Sequence, residues 1–298
     1  MKAAFIIPAR NKEKWVSTAV DSALRQTLTP LEIVLSDQGS TDNTFSVMAD
    51  MASKYDGPNK VSLMRCRDTE VKGMAGLNRH IHCIMQNVDA DVYIFNSADD
   101  WSHAERSAKV LRAFDEFGPD YVGTAVQFCS SEKVAESVGR HRETDGFVTV
   151  KEIIEHKVGG SSSCAWSRGF YDRFGPIPGA VGPDTYLPPL AALGKGYYFL
   201  QELLHIYFRH KDPDNTGLGG IRDAMTDELQ KIRVSELELW QIAAGLQAVM
   251  SKTKELKIEV DDESGRALME RFLLLVNNWC EYRHLIGLQG IPPMALPI

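Results

Sequence analysis

The feature that most restricts the fold of this chain is an alternation: four short apolar runs, each followed by a polar turn and an amphipathic stretch, fill its first part. The runs are residues 3–7, Leu31–Leu35, Val61–Cys66 and the segment around Val92–Phe95. Between them, helices are predicted from about Trp15 to Gln26, from the Asn43-Thr44 turn to about Tyr55, and from about Met74 to Val88. A fourth ends at the stop signal Gly118-Pro119. In the first, Val16, Ala19, Val20, Ala23 and Leu24 recur at helical spacing. Pro8, which lacks a backbone donor, is expected to close the first strand. Strand and helix in this order call for an α/β fold with a mostly parallel sheet, right-handed crossovers and a ligand crevice at the carboxyl edge.

The fourth strand carries the strongest chemical signal. Ile94-Phe95-Asn96-Ser97-Ala98-Asp99-Asp100-Trp101 leaves an apolar interior and ends in two adjacent carboxylates. Carboxylate oxygens suit hard divalent cations. A structural reading competes with this one, because Ser102-His103-Ala104-Glu105 fits a capping box and acids before a helix complement its dipole. Asp37 is a second acid at a strand's end, in the capping-rich turn Ser36–Thr44. Asp184, in Gly182-Pro183-Asp184, opens a later helix after the rigid loop Gly175–Gly179.

Beyond Tyr121–Phe128 the pattern loosens. Residues 130–150 read as a solvated loop or edge hairpin with Arg140-His141-Arg142, Cys164–Ser167 as a short strand, and Tyr197–Leu200 and Leu204–Phe208 as two closing strands. Asp214–Gly220 reads as a mobile loop. From Ile221 onward the chain reads as helix: Leu229, Ile232, Leu237, Trp240, Ala244 and Leu246 mark one core-packing face, and Leu268, Phe272, Leu275, Val276, Trp279 and Ile286 another. The expected organisation is a domain over 1–220, in two halves (1–129 and 130–220), then a helical region over 221–298. Five cysteines without paired spacing argue for buried thiols rather than a disulfide framework or a zinc knuckle. The net charge of −7 argues against nucleic-acid binding by bulk electrostatics, leaving a local patch of Arg140, Arg142, Arg209 and Lys211 open. The apolar core at the N-terminus is short for a signal peptide and no run reaches membrane-spanning length, so a cytoplasmic location is expected.

Six segments in fixed order resemble the family 2 glycosyltransferases with the nucleotide-sugar-binding fold called GT-A. Pro8-Ala9-Arg10-Asn11 resembles the family's Pro-x-Tyr-Asn segment, and Leu35–Thr44 its Val-Asp-Asp-Gly-Ser-Thr-Asp-x-Thr turn, with Gln38 in place of the second acid. Gly73–Asn78 is similar to the segment ending Ala-Arg-Asn, with Leu77 where arginine is common. Phe95–Trp101 resembles the metal segment Phe-Leu-Asp-x-Asp-Asp-Trp, with Ser97 at the first acid position and Asp99 at the last. Ser161–Phe174 with Pro183-Asp184 is similar to the region ending in Glu-Asp, and Tyr207–His210 to the Tyr-Arg-x-His end.

The resemblance implies inverting transfer of a sugar from a nucleotide-diphosphate sugar, a uridine diphosphate sugar by preference, to an acceptor hydroxyl. It implies Mn2+ or Mg2+ held by Asp99 with His210 joining or covering it, and Asp184 as the general base. Asp37 would accept from the nucleobase with Pro8, Ala9 and Arg10 as the wall beside it. Lys72, Gly73 and Asn78 would lie near ribose and diphosphate, and Ser97, Ala98 and Asp99 would line the donor site. The alternatives are a catalytically degenerate member that binds a nucleotide or glycan, as Ser97, Gln38 and Leu77 suggest, and a sugar nucleotidyltransferase. The latter wants a glycine-rich loop that Pro8–Lys14 lacks. The acceptor, whether glycan, lipid, protein or modified nucleobase, is not named by the sequence, and the C-terminal helices could pair in a homo-oligomer.

Overall fold

The protein is seen in a computed structural model that describes residues 1–66, 70–130, 137–138, 142–155, 162–210 and 228–285. The alternating part forms β1 (Ala3–Ala9), α1 (Val16–Leu24), β2 (Glu32–Asp37), α2 (Thr44–Lys54), β3 (Lys60–Arg65), α3 (Gly73–Asn87), β4 (Val92–Phe95), β5 (Trp101–Ser102) and α4 (Arg106–Phe117). Then come β6 (Tyr121–Ser130), β7 (Ser137–Val138), β8 (Gly146–Val148), α5 (Val150–Ile154), β9 (Cys164–Ser167), α6 (Arg168–Phe174), α7 (Pro183–Ala192) and β10 (Tyr197–Arg209). Two long helices follow, α8 (Glu228–Glu255) and α9 (Asp262–Leu285).

Among the described residues the strands make one sheet in the order β3-β2-β1-β4-β9-β6-β10-β5, with β7 on β6 and β8 on β10. The first four strands are parallel, as the alternation predicts. β9 then runs antiparallel between β4 and β6, while β10 returns parallel to β6. Side chains on β1 alternate between two cores: Ala4 and Ile6 belong to the one that also takes in α3 and Leu246, Val249, Leu268 and Leu275 of the C-terminal helices, while Phe5 and Ile7 belong to the one with α1 and α4. Helices on both faces explain why β1 and β4 are apolar throughout.

Four expectations are corrected. Pro8 lies inside β1 and does not end it. β4 stops at Phe95, and Asn96 N–H donates to Ile6 O, so the β4-facing edge of β1 asks for no donor two residues on, where proline has none. The capping box at 102–105 is absent, because Ser102 pairs with β10 and its hydroxyl donates to Asn96 Oδ1 at 2.7 Å; α4 starts at Arg106. The two closing strands are one, β10, which slips register between Leu200 and His205. Cys66 and Cys83 are joined in a disulfide between the end of β3 and α3, whereas Cys129 and Cys164 are buried thiols as expected.

The boundary expected at 220–221 falls outside the described residues, as do Asp214–Gly220 and Ile286. The buried face of α8 is Ala243, Leu246 and Val249, and Ala244 is half-buried. Leu268 and Leu275 of α9 are buried as predicted, with Phe272 and Val276 half-buried. At Gly245 the backbone of α8 comes so close to α7 that an added Cβ would lie 2.4 Å from Thr185 Oγ1 and 2.9 Å from its Cβ. The C-terminal helices therefore rest against the turn that carries Asp184. Among the described residues, no helix is long and apolar enough to cross a membrane.

Candidate active site

The carboxyl edge of the parallel strands is built by three turns tied to each other. After β1, Asn11 takes a left-handed backbone (φ 49°), a conformation asparagine tolerates, and its Oδ1 accepts from Thr41 N–H at 2.9 Å. Lys12 N–H donates to Thr44 Oγ1 at 2.6 Å, and Glu13 accepts from Asn43 N–H at 3.0 Å. The β1 turn is thus stitched to the β2 turn. Lys12 O receives the N–H groups of Trp15 and Val16, which starts α1 and fixes where Lys12 and Trp15 point.

Asp37 ends β2 fully buried. Its carboxylate accepts from Gly39 N–H at 3.1 Å and Ser40 N–H at 3.2 Å, and Arg65 Nε lies 3.6 Å away with its guanidinium over the Phe45 ring. Pro8 and Ala9 are buried beside it, with Gln38 N–H donating to Ala9 O. Arg10 donates to Val71 O at 3.1 Å, lying across the entrance to α3. Lys72 and Gly73 open that helix and are exposed.

The two acids that follow β4 separate. Asp99 Oδ2 meets Lys12 Nζ at 2.9 Å and His210 Nε2 at 2.9 Å, and the His210 ring stacks on Trp15 with centroids 4.7 Å apart. Burial would raise the Asp99 carboxyl, but the hydrogen bond from His210 and the Lys12 ammonium outweigh it and bring it down to about 2. Asp99 is therefore ionised at neutral pH.

Asp100 turns inward instead. Its Oδ1 accepts from Phe208 N–H at 3.0 Å and its Oδ2 lies 3.2 Å from His205 Nε2. Behind them the fully buried Arg106 donates to His205 Nδ1 at 3.2 Å, Ser102 Oγ at 2.7 Å, Phe95 O at 2.7 Å and Ser162 O at 3.2 Å. A guanidinium only donates, so His205 accepts on Nδ1 and keeps its proton on Nε2, facing Asp100. Burial raises the Asp100 carboxyl well above the usual range, reinforced by the Asp99 charge, and burial with the Arg106 charge holds His205 well below its own. This network joins β4, β9 and β10, and so sets where Tyr207–His210 emerge.

The structure brings Asp99 and His210 together, as predicted. It uses Asn78 differently from the sequence expectation: both amide hydrogens hold the loop before α7, on Gly179 O at 2.9 Å and Val181 O at 2.8 Å. That loop delivers Asp184, exposed in the first turn of α7. Burial raises the Tyr207 hydroxyl, and the charges of Asp100, Asp99 and Asp184 add to the rise. Ser97 is half-buried and its carbonyl accepts from Asn96 Nδ2 at 2.8 Å, with Ala98 buried next to it. Of the basic patch, Arg140 and Lys211 lie outside the described residues. Arg142 is tied to Phe147 O and Glu152, and Arg209 lies over the Phe128 ring. Sequence reasoning missed Lys12, Trp15, Arg65, Arg106 and His205, whose partners come from turns distant in the chain.

Whether these residues suit a divalent ion can be tested on their spacing. Neighbouring ligands of an octahedral ion lie about 2.9 Å apart when the bonds are ~2.05 Å, and the Asp99 oxygen and His210 nitrogen stand 2.9 Å apart. Lys12 already holds a positive charge on the same oxygen. No group of three His, Cys, Asp or Glu among the described residues is arranged to hold a metal, so the pair fits an ion whose other ligands come from a bound anion.

Comparison with known proteins agrees with this architecture. Crystal structures of similar fold include S. aureus TarS residues 1–349 in complex with UDP-GlcNAc (TM-score 0.59, 16% identity, 95% of this chain and 81% of that one). A second is the mannosyltransferase PcManGT from Pyrobaculum calidifontis in complex with GDP-Man and Mn2+ (TM-score 0.53, 16% identity, 97% and 84%). A third is GalNAc-T7 with UDP, GalNAc and Mn2+ (TM-score 0.57, 14% identity, 91% of this chain and 56% of that one). At such identities the likeness is one of fold, the expected GT-A fold with added C-terminal helices. A curated relative, chondroitin synthase from Escherichia coli, is 48% identical over 42 residues, which is 14% of this chain and only 6% of that protein. The sequence model of the family described as Glycosyl transferase family 2 matches residues 4–173, more than half of the chain, which therefore belongs to that family and is a glycosyltransferase.

Proposed function

We propose that this protein transfers a sugar from a nucleotide-diphosphate sugar, a uridine diphosphate sugar by preference, to an acceptor hydroxyl with inversion at the anomeric carbon. The observation that carries this reading is the pairing of Asp99 with His210 at 2.9 Å beside the carboxyl edge of the parallel strands, in a chain that belongs to this glycosyltransferase family. TarS and GalNAc-T7, which share the fold, have UDP-GlcNAc and UDP respectively in their structures. PcManGT has GDP-Man, so the base of the donor rests on this reading alone.

In this reading Asp37 and Arg65 face the nucleobase, with Pro8, Ala9 and Arg10 as the adjoining wall, and Lys72 and Gly73 stand at the diphosphate. Asn78 acts one step back, holding the loop of Asp184. Asp99 and His210 would hold a Mn2+ or Mg2+ ion together with the diphosphate; such an ion supplies Lewis-acid stabilisation of the leaving group's charge. Asp184, exposed in the first turn of α7, takes the proton of the incoming hydroxyl as it attacks the anomeric carbon. The division into donor half, acceptor half and C-terminal helical region, and a cytoplasmic setting, belong to the same proposal.

The purified chain with Mn2+ and a panel of nucleotide sugars is expected to release nucleoside diphosphate, read by coupled assay, and to shift the mass of an acceptor. Asp184→Asn is expected to lower turnover by about 10³-fold while donor affinity stays within about twofold. Equal loss of both would assign Asp184 to donor binding instead.

A further inference from the structure

Where a divalent ion would draw on Asp99, an ammonium already sits. Lys12 is 8% exposed, and its Nζ lies 2.9 Å from Asp99 Oδ2 with both side chains largely out of water. It is not a wandering surface lysine. Its N–H is held by Thr44 Oγ1 at 2.6 Å, and its carbonyl takes two N–H groups, from Trp15 at 2.9 Å and Val16 at 2.8 Å. The turn that presents Lys12 also presents Trp15, whose ring stacks on His210, the other neighbour of Asp99.

The charges around this point are nearly spent. Ser97 brings no acid, and both oxygens of Asp100 are turned inward to Phe208 N–H and His205. Among the described residues Asp99 is the carboxylate that meets Lys12, at 2.9 Å. An ion entering alone would have to share the Asp99 oxygen with the Lys12 ammonium in a poorly solvated place, where like charges repel strongly. A diphosphate changes this balance, because it brings negative charge for the ion and for the displaced ammonium alike.

We infer that Lys12 is the resident cation of Asp99 and makes binding of a divalent ion conditional on the nucleotide diphosphate: the ammonium gives up the Asp99 oxygen to the ion only when phosphate oxygens arrive to receive it. The inference rests on the donor site proposed above. Its consequence is a thermodynamic coupling, in which nucleotide and ion each raise the other's affinity and Lys12 is the source of the coupling.

The test is a titration of the full chain with Mn2+, following the electron paramagnetic resonance signal of the free ion, with and without saturating UDP. Wild type is expected to bind Mn2+ at least about tenfold more tightly with UDP than without. Lys12→Met is expected to tighten UDP-free Mn2+ binding by about tenfold and to shrink the effect of UDP accordingly. Lys12→Gln, which keeps the length and a donor to Asp99, is expected to act in the same direction and replaces the methionine variant should that one melt early. Unchanged UDP-free affinity in the neutral variants overturns the inference, as does wild-type binding that is equally tight with and without UDP. If UDP raises the melting temperature of no form, with or without Mn2+, it is the donor reading that falls.

Discussion

Asp37 and Asp99 both stand just past parallel strands at the same edge of the sheet, yet their oxygens are used differently. Asp37 takes its hydrogen bonds from Gly39 and Ser40, two and three residues on, with the exposed Arg65 as a charge 3.6 Å away. Asp99 is held by Lys12 and by His210, the latter 111 residues away. A carboxylate served by its own backbone has no reason to change partners when a ligand arrives. One served by an ammonium and an imidazole from remote turns can exchange them. The inward-facing Asp100 belongs with Asp37 in this respect: its partners, Phe208 N–H and His205, are structural.

The contrast can be broken by substitution. Asp99→Ala leaves the Lys12 ammonium buried without its counter-charge, and a loss of about 3–5 kcal/mol is expected in urea unfolding. Adding Lys12→Met to that variant is expected to recover much of the loss, since removing both members of a buried pair is far milder than removing one. An Asp99→Ala protein as stable as wild type would mean that Lys12 simply swings to water, and the two acids would then be alike.

Acid sharpens the same comparison. His80, behind the Asp37 turn, contacts Ser36 Oγ at 2.7 Å, and burial, aided by Arg10, lowers it to about 3. Between about 6.5 and 3 the unfolded chain binds a proton at this group that the folded chain refuses, so its contribution is whole above 6.5 and falls as pH drops. His205, lowered as well, acts in the same direction. Asp99 behaves otherwise: lowered to about 2, it keeps its full contribution down to about 3.8 and loses it only below. Stability is expected to fall by about 2 kcal/mol for His80 alone between pH 6.5 and 5, with His80→Gln flattening the slope. Equal slopes in wild type and His80→Gln would show that His80 is not the group that titrates.

The smallest change expected is at Asp37. Asp37→Asn keeps an acceptor oxygen for the Gly39 and Ser40 N–H groups and should cost about 1 kcal/mol, read as a shift in the urea midpoint at unchanged slope. A loss as large as that of Asp99→Ala would place Asp37 in a long-range network after all.

Much of the first half of the fold was legible because each signal is local. Apolar runs such as Val92–Phe95 and helical spacing such as Val16–Ala19–Val20–Ala23 report burial through the backbone's own period, and the structure places strands and helices there. The errors come from non-local causes. Ser102–Glu105 reads as a cap in isolation, but pairing with β10 claims Ser102. Pro8 reads as a stop, but its neighbour strand ends first. Cys66 and Cys83 are unremarkable in spacing until the end of β3 and α3 meet.

The sequence by itself determined the alternating α/β plan, the family's ordered segments and the presence of acids at strand ends, because period, turn chemistry and motif spacing are properties of neighbouring residues. Only the tertiary structure decided which acid is available. Asp99 meets Lys12 and His210, Asp100 is taken by Phe208 and His205, and Asn78 is committed to the loop of Asp184. The reason is electrostatic: a carboxylate's chemistry follows the charges and donors that surround it in space, and those come from turns far apart in the chain.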